Sequence, residues 1–145
     1  MPQDLVLHFI RNISHFGGQF GWFYGIAYIS LAKVFAIEFS VPVWTALLAA
    51  GVLKEKPTPP RIWAIVFGIM GMLIILRPGF GGMNLASLAV LTGAVCYALS
   101  HTLTRKLAQN DPPVTILFYM TLIQMPIGFG LSLKSWHPPT MDMLP

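Results

Sequence analysis

Charge is what this chain has least of. Asp, Glu, Lys and Arg make up 10% of its 145 residues, where soluble domains carry roughly 25%. The few present cluster in short connectors, so no polar exterior can be drawn around a water-facing core. The net charge of +4 comes from basic residues set between apolar runs. A basic patch interleaved with aromatics is missing, which excludes nucleic acid as a partner. The single cysteine, Cys96, rules out an intramolecular disulfide and argues against a thiolate metal site. His8, His15, His101 and His137 show no zinc-ligand spacing. No nucleophile–base pair or ligand set falls on one helical face, so no enzyme, metal or cofactor is expected. Gly79, Gly81 and Gly82 follow no strand and precede no Gly-Lys-Ser/Thr, which excludes a phosphate loop. A cleavable leader is not expected, because Asp4 comes early and no small-residue cleavage site follows.

What the chain does have is apolar sequence, 55% of it hydrophobic. Residues 13–53 are almost continuously apolar, about twice the ~20 residues that one helical span needs. The run must therefore turn back, and Lys33, its only Lys or Arg, marks the expected turn. Spans are expected at residues 13–32, 34–53, 61–76, 85–104 and 114–133. The fold class is all-α: a polytopic membrane protein of about five transmembrane helices. Residues 1–12 alternate polar and apolar, as in a short helix on the membrane surface or in the approach to the first span.

Several stripes mark faces on these spans. Gly17, Gly21 and Gly25 recur every fourth residue in the first, a small-residue face that admits a close neighbour. Ala64, Gly68 and Gly71 share one side of the third. Gly93, Tyr97, Ser100, His101 and Thr104 form a polar stripe on the fourth, and such stripes face a bundle interior or a cavity. Thr121, Gln124 and Gly128 share a face of the fifth, which Pro126 is expected to break.

The second span is the one most strongly marked. It carries Glu38 inside an apolar helix and Pro42 four residues later. Proline cannot donate to the carbonyl four residues back, and in hydrocarbon a freed carbonyl must find a partner or line a wet cavity. The candidate solute pathway is therefore Glu38, Pro42 and Trp44 from the second span, Tyr24 and Tyr28 from the first, and Tyr97 and His101 from the fourth. Each has a plainer reading. Glu38 could pair with Lys33 or cap a helix, Trp44 could be a packed or interfacial aromatic, and His101 could be a hydrogen-bonding strut.

Basic residues orient the chain. Arg11, Lys54, Lys56, Arg61, Arg105 and Lys106 fall on one side, and Lys33, Arg77 and Lys134 on the other. The richer side faces the cytoplasm, which puts the N-terminus inside.

Several stretches together resemble the drug/metabolite transporter superfamily, specifically its EamA-type permeases. They are Leu7-His8-Phe9-Ile10-Arg11, Tyr28-Ile29-Ser30-Leu31-Ala32, Glu38-Phe39-Ser40-Val41-Pro42-Val43-Trp44, Leu53-Lys54-Glu55, and the run from Gly68 to Gly79. Where the family often has Gly-Glu, this chain has Lys54-Glu55. The resemblance implies a partial inverted-repeat transporter bundle, the five spans matching the third to seventh of ten. Residues 1–83 would be the C-terminal part of one repeat, about three helices. Residues 84–145 would be the N-terminal part of the next, about two. It implies a secondary transporter, or a fragment of one, that moves small metabolites or drugs across a bacterial-type inner membrane. Its expected partners are the lipid bilayer and a small-molecule solute, with a homo-oligomer or complementing membrane helices to complete it. The alternatives are a non-transporting remnant or interaction subunit that needs a second chain, and, less well matched in helix count, a small dimeric multidrug exporter.

Overall fold

A computed structural model describes residues 4–54, 58–76 and 84–133. Among them every regular element is helical: α1 Leu5–Tyr28, α2 Leu31–Glu38, α3 Val41–Val52, α4 Pro59–Leu76, α5 Leu85–Leu107 and α6 Pro113–Leu133. Three stretches are long and apolar enough to cross a membrane: Leu31–Val52, Leu85–Leu107 and Pro113–Leu133. α4 contains the shorter apolar stretch Ile62–Ile74. α1, at 24 residues, is about 36 Å long. The chain is an all-helical, polytopic membrane protein.

The surface helix and the first span expected from the sequence are one helix. No proline interrupts α1. Its polar His8, Arg11 and Asn12 lie on the same face as Gly18, Gly21 and Gly25, and all six are buried. The turn back comes at Ile29 and Ser30, ahead of Lys33, which lies exposed within α2. Ile29 is extended, with φ −131° and ψ 160°, and the Ser30 carbonyl accepts from the Lys33 and Val34 amides to start α2.

α2 and α3 form one span with an interruption. Phe39 and Ser40 keep helical φ, but their ψ values of −11° and −16° fall well short of the roughly −42° of a regular helix. Pro42 is the cause, because its ring crowds the carbonyl four residues back, at Glu38. The Ser40 side chain knits the break. Its hydroxyl donates to the Ile37 carbonyl at 2.6 Å and accepts from the Trp44 indole at 3.1 Å. Pro126, by contrast, does not break α6, which runs through it.

At the end of α3, Lys54 has φ +54°. This is the left-handed region, where a side chain costs about 1–2 kcal/mol and glycine sits freely. A lysine thus takes a glycine conformation at the position where the family that the sequence resembles often has glycine. Lys54→Gly is expected to stabilise the chain by about 1 kcal/mol, read from its unfolding midpoint in detergent.

α5 is central. It packs most extensively on α1 and also touches α2 and α3, while α4 lies against α2 and α3, and α6 against α1. Lipid tails are as apolar as these helices, so close packing rather than dehydration holds them together. Glycine makes that packing close. Gly21 lies against the Ala89 carbonyl and the backbone of Gly93. The face in contact runs through Gly18, Gly21 and Gly25, and Gly17 lies beside it, near Cys96. Asn84 starts α5 by accepting from the amide and hydroxyl of Ser87 at 2.9 and 2.8 Å. Arg105 and Lys106 stand in its last turn, where cations suit the helix dipole. The connector at residues 55–57, the turn at 77–83 with the expected repeat boundary, and the tail from 134 lie outside the described residues.

Candidate functional site

The interruption leaves Glu38 at the end of α2, facing the α1–α5 contact. The Trp22 indole of α1 donates to Glu38 Oε2 at 2.9 Å. Gly18 and Trp22 of α1, Glu38 of α2, and Val90, Gly93, Ala94 and Tyr97 of α5 surround a seam that leaves no room for a water molecule. Glu38 makes no ion pair with Lys33: among the described residues the only ion pair is His8 with Asp111. A carboxylate at a break in a span is therefore held by a neutral donor, in a closed space between three helices.

Of the seven pathway candidates, Glu38 and Tyr97 meet at this seam, and His101 stacks on Tyr97 with ring centroids 6.3 Å apart. The other four do not line it. Trp44 donates its indole N–H to Ser40, one turn back. Pro42 lines a groove of about 320 Å³ against α4, walled by Phe39, Phe67, Gly68 and Gly71 among others. Tyr24 and Tyr28 pair with each other at 4.7 Å, and Tyr28 is exposed.

A second polar cluster, from His8 to His15, lies about 5 to 15 Å along α1 from Gly18. His8 is fully buried and its Nε2 lies 2.9 Å from Asp111 Oδ2. Leaving such a buried partner unmade costs about 1–3 kcal/mol, so the contact ties the start of α1 to the segment between α5 and α6. Asn12 donates to the His8 carbonyl at 2.8 Å and accepts from Arg11 Nη1 at 2.7 Å. Arg11 Nε donates to Thr104 Oγ1 at 2.9 Å. Gln124 of α6 reaches Asn12 Oδ1 at 3.3 Å and His15 Nδ1 at 3.2 Å. The polar stripe of α5 thus faces α1, and α1 answers it with a polar stripe of its own.

Trp22, Arg11, Asn12, His15 and Gln124 are absent from the candidates drawn from the sequence. The signal was there for three of them, together with His8. His8, Arg11, Asn12 and His15 are spaced i, i+3, i+4 and i+7, and continue the glycine face of the same helix. Trp22 gave no such signal, because only the fold brings it to Glu38.

The profile of the EamA-like transporter family matches residues 2–77. The chain belongs to that family. This EamA-like chain is 24% identical over 135 residues to the S-adenosylmethionine uptake transporter of Rickettsia bellii, covering 93% of the chain and 46% of that protein. It is 30% identical over 129 residues to the riboflavin transporter of Brucella anthropi, covering 89% and 45%. It is 29% identical over 137 residues to the riboflavin transporter of Vibrio cholerae, covering 83% and 46%. The chain spans a little under half the length of these relatives. No solved structure matches it.

Proposed function

We propose that this chain forms part of a secondary transporter that moves small metabolites across a bacterial-type inner membrane. Family membership and relatives named for S-adenosylmethionine uptake and riboflavin transport support that class. The observation that carries the reading is the closed seam. Glu38 sits at a break in a membrane span, held by Trp22, and with Tyr97 lines a seam too narrow for a water molecule. The interruption at Phe39 and Ser40 supplies a hinge, so that α2 can swing Glu38 off Trp22. Intramembrane carboxylates placed in this way serve solute and proton pathways. A proton or counter-solute gradient is the proposed energy source.

Further helices or a second copy are proposed to complete the pathway. α6 supports this, since Ile116 is the only buried residue in its 21. Residues 1–83 and 84–145 are assigned to successive repeats, and the end of the family profile at residue 77 supports the division. In lipid vesicles the chain alone is expected to pass no solute, and flux is expected once the remaining helices of the riboflavin relative are joined to it. Robust uptake by a purified monomer would refute the need for completion.

We assign the N-terminus to the cytoplasm from the distribution of basic residues. With Cys96 replaced by serine, cysteines at Thr58 and Gln109 are expected to be shielded from an impermeant thiol reagent in intact cells, and one at Gly82 to be labelled. The opposite pattern inverts the orientation.

A further inference from the structure

Arg11 is a buried cation without a counter-ion. Its side chain is turned inward at 7% exposure, although a long basic side chain near a helix end ordinarily reaches out to the headgroups. Both of its hydrogen bonds go to neutral oxygens, Thr104 Oγ1 and Asn12 Oδ1. Asp111 is occupied by His8 and Glu38 by Trp22, and among the described residues no carboxylate is in ion-pair contact with the guanidinium. Burying a charge in this way is strongly unfavourable unless an anion joins it. The remaining amino group, Nη2, makes no hydrogen bond among the described residues and is not sealed from outside.

Two imidazoles stand close by. His15 lies one turn along α1 and meets the Tyr97 ring edge-on at 5.5 Å, while His101 stacks on the same ring at 6.3 Å. His101 lies one turn of α5 before Thr104, which accepts from Arg11, and His101 is exposed. Two imidazoles thus meet at one tyrosine, close to the Arg11 guanidinium on α1 and to its acceptor Thr104 on α5, and among the described residues no carboxylate pairs with Arg11. The guanidinium fork matches the two oxygens of a carboxylate or phosphate.

We infer that Arg11, with His15 and His101, forms a subsite for an oxyanion of the transported solute, a carboxylate or a phosphate, on the N-terminal side of the Glu38 seam. The inference deepens the transport reading and rests on it for the anion belonging to the solute. The anion supplies the counter-charge that Arg11 lacks, and Tyr97 connects the subsite to the seam, which it also lines.

The test is binding by the purified full chain in lipid nanodiscs. Inorganic phosphate and acetate are titrated separately, with chloride holding ionic strength constant, and saturable shifts in the unfolding midpoint give the affinities. At least one of the two is expected to bind in preference to chloride, and which one binds identifies the oxyanion. Arg11→Gln is expected to weaken binding about tenfold or more, the loss of one charge-assisted hydrogen bond. Arg11→Lys keeps the charge and loses the fork, and is expected to fall between. His101→Gln, at an exposed position, keeps the fold and tests the site independently; weaker binding is expected there also. Equal midpoints in all three salts overturn the inference, as does unchanged affinity in His101→Gln together with Arg11→Lys. Uptake separates this failure from that of the transport reading. Anion binding without flux in the completed transporter removes the solute and leaves the anion site. Flux with no anion binding removes the subsite and leaves the transporter.

Discussion

Gly21→Leu is expected to separate α1 from α5 and leave no folded bundle. A Cβ at Gly21 would lie 2.5 Å from the Ala89 carbonyl oxygen and 3.1 Å from the Gly93 Cα. Both obstacles are backbone, so no rotamer change relieves the clash and the helices themselves must move apart. Overpacking of this kind costs about 3 kcal/mol or more, and separation also forfeits the close packing that holds helices together in lipid. The seam around Glu38 is built on the same contact, through Gly18 and Gly93. Gly71→Leu is the matched control, because a Cβ there meets nothing within 4 Å. Far-UV circular dichroism during detergent titration is expected to show Gly21→Leu unfolded under conditions where Gly71→Leu matches the parent chain.

The glycine stripe shows how far the sequence could be read. Four-residue spacing picked out Gly17, Gly21 and Gly25, and two of these three are in the contact face. A helix of 3.6 residues per turn drifts off a strict four-residue repeat, so Gly18 takes the place of Gly17. Among the described residues three of the five expected spans, in α2–α3, α5 and α6, are long and apolar enough to cross a membrane. α4 holds a shorter apolar stretch, and α1 falls short in hydropathy because its buried face is polar. The break in the second span was legible too, since proline acts on a known carbonyl. Its form was not: the interruption falls two and three residues before Pro42, at Ser40 and Phe39, and Ser40 and Trp44 stitch it together.

Partner choice was the least legible part. Glu38 lies inside the apolar stretch Leu31–Val52, as expected, yet Lys33, the partner expected for it as an ion pair, is exposed and unpaired with it. Trp22 is 16 residues away in sequence and reaches Glu38 only because the chain reverses at Ile29 and Ser30. The polar residues of α1 were left between two readings, a surface helix and the approach to the first span, and the continuous helix Leu5–Tyr28 agrees with the second. Read as a surface helix, His8, Arg11 and Asn12 belong to headgroups, whereas in one continuous α1 they face α5 and α6. Only the length of the unbroken helix decides between the two.

Glu38→Gln is the measurement that tests the central claim most directly. Glutamine keeps the shape and an oxygen that can accept from the Trp22 indole, so the seam should close as before and the protein should accumulate normally. It removes the charge, and with it any proton exchange or cation contact during opening. In vesicles carrying the completed transporter at equal protein content, Glu38→Gln is expected to lower solute uptake at least about tenfold, the equivalent of one charge-assisted contact. The unfolding midpoint is expected to stay within about 0.5 kcal/mol of the parent, as for a substitution that breaks no packing. Uptake at the parental rate would contradict the pathway reading and leave Glu38 as a hydrogen-bond partner that merely holds α2 to α1.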